Sequence, residues 1–152
     1  MAILPVPHDV GAPYLRRVNY LAPIVIGLVY CASNSLINEP HRRSLNAIMI
    51  AGAGAAYLSG GGLGPWELAF TTAMTYFAFR GLNSWAWIGV GWVLHTSWDV
   101  VHDLLNRPLL PFAPESSFGC ALCDLVIAAW CFMGGPSISD LRTRLAASRT
   151  TH

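Results

Sequence analysis

The chain of 152 residues has no lysine. All nine basic residues are arginine, and charged residues make up only 11% of the total. An ordinary soluble domain carries about 25%. With 54% hydrophobic residues, a disordered segment is excluded, because disorder needs low hydrophobicity and high charge. A net charge of +1 and the absence of any basic run exclude nucleic acid as a partner. Nine basic and eight acidic side chains are too few to clothe the surface of a soluble domain this apolar. The mean hydropathy of +0.46 predicts an all-α, integral membrane helical bundle in a single domain over 1–152. A short N-terminal segment, 1–17, and a polar tail, 142–152, flank it.

Five apolar stretches are present: about Tyr20–Ile37, Leu45–Leu63, Trp66–Leu82, Ser84–Leu105 and Phe118–Gly135. Each is near the roughly 17–25 residues of a spanning helix. The second, rich in Gly and Ala and ending in Ser59-Gly60-Gly61-Gly62, is short, broken or re-entrant in this reading, and a re-entrant second stretch leaves four spans. Pro40, the glycines before Pro65, and Pro108, Pro111 and Pro114 punctuate the helices. Ser116 or Ser117 is placed to cap the fifth. Arg42, Arg43, Arg80, Arg142, Arg144 and Arg149 fall on one side, and Arg16, Arg17 and Arg107 on the other. The arginine excess predicts a cell-membrane protein with its N-terminus outside and its C-terminus cytoplasmic. The run Glu39-Pro40-His41-Arg42-Arg43 reads as a solvated turn. Asn34 and Asn38 are placed to hydrogen-bond across helices, and the small residues Ala47, Ala51 and Ala55 form a helix-contact face, within the chain or in a homo-oligomer.

Ionisable residues inside an apolar stretch are costly, which makes each a functional hypothesis. His95, Asp99 and His102 recur at spacings of four and three, within about 60° of one another around a helix. Asp103 extends the stripe. Two imidazoles and a carboxylate suit zinc, iron or manganese. They also suit proton transfer, or simply satisfy one another. Glu67, in the first turn of the third stretch, and Asp124, about two turns inside the fifth, lie in the same half of the bilayer as the stripe in this reading, so three helices converge on one pocket. His95, Asp99, His102, Asp124 and Glu67 are the catalytic candidates; the first three are the metal candidates. Asp103, Cys120 and Cys123 are candidate cofactor contacts.

Cys120-Ala-Leu-Cys123 is a CxxC at a helix start, where thiolates are favoured. It resembles the membrane quinone-coupled thiol oxidoreductases over those four residues. The stretch from His95 through Asn106-Arg107-Pro108, Pro111-Phe112-Ala113-Pro114 and Ser117-Phe118-Gly119-Cys120 is similar to an uncharacterised family of small bacterial multi-pass membrane proteins. That resemblance implies a membrane family and no activity. The leading expectation is a membrane-embedded enzyme acting on membrane lipid or a lipophilic small molecule, by metal-assisted or acid–base hydrolysis, oxidation, isomerisation or cyclisation. The alternatives are proton- or metal-ion-coupled transport, quinone-linked thiol redox through the CxxC, and an assembly subunit.

Overall fold

Proline and glycine set the helix boundaries as the sequence predicts. In this computed structural model, which describes residues 12–110 and 112–140, five helices follow one another. They are α1 (Ala12–Asn34), α2 (His41–Ala56), α3 (Pro65–Gly81), α4 (Trp85–Leu104) and α5 (Ser116–Phe132), with a 3-10 turn, Tyr57–Ser59, ending α2. Pro40 directly precedes α2. Gly64 precedes Pro65 with φ at 60°, a conformation open to glycine but strained for other residues, and Pro65 then needs no amide partner in the first turn. Ser116 and Ser117 do not cap α5. Their hydroxyls accept hydrogen bonds from the Leu110 and Leu109 amides and so hold the preceding loop.

The central helix is α4, packed on α5, α3 and α2, while α1 packs on α5 and α2 on α3. Ile50, Met74, Ile88 and Cys131 are fully buried in the apolar core. A Cβ on Gly54 would lie 2.5 Å from the Met74 Cβ, so glycine lets α2 and α3 approach closely. Ala47 is buried there, but Gly52 and Ala55 are exposed, so the small-residue stripe is only partly a contact within the chain. Asn34 does bond across helices, accepting from Asn46. Arg42 is buried, not solvated as its charged neighbours suggested.

The helices are those expected, but the membrane assignment is overturned. No helix among the described residues is long and apolar enough to cross a membrane. The helices α2, α3 and α5 have 16, 17 and 17 residues, at or below the lower end of the roughly 17–25 a span takes. The 20-residue α4 carries His95, Asp99, His102 and Asp103, and the 23-residue α1 contains Arg16, Arg17, Asn19 and Pro23. The integral membrane bundle, the multi-pass localisation and the outside-to-inside orientation of the termini are therefore withdrawn. Arg142, Arg144, Arg149 and the tail lie outside the described residues, as does Pro111. The apolar excess instead appears partly at the exterior, as at Leu21, Ile26 and Val29 of α1.

Candidate functional site

Helical spacing places His95, Asp99 and His102 on one buried face of α4, and Asp99 and His102 are fully enclosed. Asp124 from α5 and Glu67 from α3 are also buried. The five candidates form two groups. His95 Nδ1 lies 2.7 Å from Asp124 Oδ2 and 3.1 Å from Asp99 Oδ2. The other Asp99 oxygen accepts the Tyr57 hydroxyl. His102 turns instead to Glu67, with Nε2 3.2 Å from Oε1.

Tyr57 ties the groups together. Its ring lies 4.4 Å from that of His102 and 5.7 Å from that of His95. Phe70 packs edge-on to Tyr57 and stacks on Trp98 at 4.8 Å. Glu67 Oε2 accepts from Trp98 Nε1 at 3.0 Å, and Oε1 from the Leu63 amide at 3.1 Å. His102 Nδ1 donates to the Arg107 carbonyl at 2.9 Å, and Arg107 Nη1 donates to the Gly62 carbonyl at 3.0 Å. The glycine loop thus lies directly over the site. A Cβ on Gly61 would lie 2.1 Å from Glu67 Oε1, so the loop has no room for a side chain there.

The electrostatics follow from burial. Burial opposes charge on His95, but hydrogen bonds to Asp124 and Asp99, and the charges of both, outweigh it and push the ring up to about 10. Burial raises Asp124 above the ordinary carboxylate range, against the pull of His95. Burial and the Asp99 carboxylate raise the Tyr57 phenol, keeping it a neutral donor. A buried acid and base with displaced titrations mark a functional site more often than a packing contact.

Asp103 is half-buried, and no contact joins it to either group. Cys120 and Cys123 are free thiols beside the cluster. Burial, then the nearby Asp99 and Asp124 charges, push Cys120 up to about 12, and burial, then Asp124, push Cys123 up to about 11. That is opposite to the direction expected at a helix start, and it disfavours the thiolate that redox chemistry uses.

His95, Asp99 and Asp124 each offer one ligand atom, all within 4.8 Å of one another. The grouping exchanges His102 for Asp124 relative to the trio read from the stripe. The chain matches a family of unknown function over residues 18–137, a stretch that contains every residue of both groups. It belongs to the DUF6010 family. No curated protein and no solved structure matches it. The uncharacterised family expected from the sequence is thus DUF6010, and the match carries nothing about membranes or bacterial origin.

In this DUF6010 protein a cleft of about 350 Å³, lined by Leu58, Ser59, Leu68 and the loop glycines, reaches Tyr57 and Glu67 at the edge of the site, while His95, Asp99, Asp124 and His102 do not line it. A larger groove, about 470 Å³, between Pro23 and Ile26 of α1 and Pro114 and Gly119 touches none of the clustered residues. Sequence reasoning missed Tyr57 and Trp98. The one available signal for Tyr57 was its position, a phenol at the end of a Gly- and Ala-rich helix immediately before the glycine loop.

Proposed function

We propose that this protein is a metal-dependent enzyme whose ion is held by His95, Asp99 and Asp124. The observation that carries the reading is the convergence of two carboxylates, from two helices, on one buried imidazole nitrogen. One nitrogen and two oxygen donors suit zinc, manganese or ferrous iron. The Tyr57 hydroxyl on Asp99 supplies the outer contact that orients a metal-binding carboxylate. Held by these three residues, a divalent ion would supply a Lewis acid or an activated water. The reaction class that follows is metal-assisted hydrolysis.

The substrate class follows from the cleft. Leu58 and Leu68 offer apolar contact, and Glu67 and Tyr57 offer polar contact at one end. That combination fits a small, largely apolar molecule with one hydrolysable polar group. The test is a panel of small apolar esters and amides, assayed with chelator-stripped protein and with protein reloaded with Zn²⁺ or Mn²⁺. Reloaded protein is expected to turn over at least one class, and His95→Ala, still helical by circular dichroism, none. Turnover unaffected by chelation and by His95→Ala contradicts the reading.

A further inference from the structure

We propose that His102 Nε2 and Glu67 Oε1 hold a second divalent ion, separate from the His95–Asp99–Asp124 centre and beside the glycine-loop cleft that Glu67 lines. The observations at His102 do not use the first centre, so the two proposals stand or fall separately.

His102 is fully buried, and its two ring nitrogens are in different situations. Nδ1 donates to the Arg107 carbonyl. That bond occupies Nδ1 and leaves Nε2 as the ring position without a hydrogen bond. Nε2 itself is buried without a hydrogen-bond partner. It lies 3.2 Å from Glu67 Oε1, but off the direction of a hydrogen bond. Glu67 in turn is oriented from outside, by Trp98 Nε1 on one oxygen and the Leu63 amide on the other. A ring nitrogen and a carboxylate oxygen, both buried, therefore lie 3.2 Å apart with no hydrogen bond between them. Leaving a buried polar atom unpartnered is costly.

A cation between them removes that cost. Metal–nitrogen and metal–oxygen bonds of about 2.0–2.2 Å put two neighbouring ligands roughly 3 Å apart, close to the separation present here. A metal-binding histidine characteristically donates its second ring N–H to a backbone carbonyl or carboxylate, as His102 does to Arg107. Two protein ligands leave the remaining coordination positions to water or substrate. The cleft reaches Glu67 directly. Tyr57 stands between the centres, its ring against His102 and its hydroxyl on Asp99.

Manganese titration of the chelator-stripped full chain, with free Mn²⁺ counted by electron paramagnetic resonance, tests the proposal. Wild type is expected to bind two ions per chain. His102→Ala is expected to bind one, and Asp124→Asn the other one. Gly61→Ala changes no ligand but drives a methyl into Glu67 Oε1, and is also expected to bind one. That variant keeps the test valid if His102→Ala fails to fold. A wild type that binds one ion, lost in Asp124→Asn and retained in His102→Ala and Gly61→Ala, overturns the second site and spares the first. A His102→Ala protein that still binds two ions overturns the second site as well. A wild type that binds none overturns both.

Discussion

Two buried polar clusters occupy this molecule, and they differ in how completely their hydrogen bonds close. Around the start of α2, Tyr30 donates to Asn46 Oδ1, and Asn46 Nδ2 donates to Asn34 Oδ1 and to the Arg42 carbonyl. Asn34 donates to the Tyr30 carbonyl. Arg42 donates to the Ile37 carbonyl and to Glu39, which also accepts from Trp85. Every polar atom of Asn46 is used, and Arg42 Nε alone is left over in this cluster. Around α4, by contrast, both histidines keep an unpartnered, buried Nε2. A closed polar network fixes how helices pack, whereas a buried polar atom without a partner calls for an explanation such as a catalytic role, a water or an ion.

Breaking the closed cluster has the largest expected effect. Asn46→Ala strands the Tyr30 hydroxyl and Asn34 Oδ1, and is expected to cost about 2–4 kcal/mol in chemical denaturation with the same number of ions bound. Saturating ion sharpens the contrast from the other side. At about a hundredfold excess over Kd, Mn²⁺ stabilises the fold by about 2.7 kcal/mol for each centre it occupies. Thermal melts are expected to show the same increment in Asn46→Ala and a smaller one in Asp124→Asn, which loses the first centre. Equal stabilisation of both variants contradicts the division between the clusters.

The pH dependence comes next. His95, pushed up to about 10, holds a proton at neutral pH that an incoming ion must displace. Affinity at the first centre is therefore expected to rise with pH, by about tenfold per unit between pH 7 and 9, and to level off above about 10. The trend runs upward because the competing proton is lost as pH rises. Calorimetry in buffers of different ionisation enthalpy counts the released proton; a pH-independent affinity contradicts the assignment. Smaller still is Tyr57→Phe, which removes the outer contact to Asp99 and is expected to weaken the first centre by about 10-fold. Cys120 and Cys123, both pushed up, are expected to alkylate slowly at pH 7–8 with iodoacetamide, and rapid modification contradicts their burial.

Much of the fold was legible because its determinants are local. Apolar runs, Pro40, Pro65 and the glycine loop place helix boundaries within a few residues, and the spacing of His95, Asp99 and His102 puts them on one face. The environment of the helices was not legible. Apolar composition is shared by a spanning helix and by a short helix in a packed bundle, and only the length of each helix and the polar content of α4 separate them. Within the site, depth along the helices brought Glu67 and Asp124 to the correct level. Rotation about each helix axis decided the pairing, so Asp124 met His95 while Glu67 met His102. Asp103, one residue beyond His102, turned away. Tyr57 was missed because its contact with Asp99 spans 42 residues, and no local pattern encodes it.

The central claim, that the open cluster on α4 is a metal centre, is met most directly by anomalous diffraction at the zinc edge from crystals of zinc-loaded protein. The account predicts a peak about 2.0–2.2 Å from His95 Nδ1 and from one oxygen each of Asp99 and Asp124. Zinc found only elsewhere, with His95 Nδ1 still hydrogen-bonded directly to both carboxylates, contradicts it.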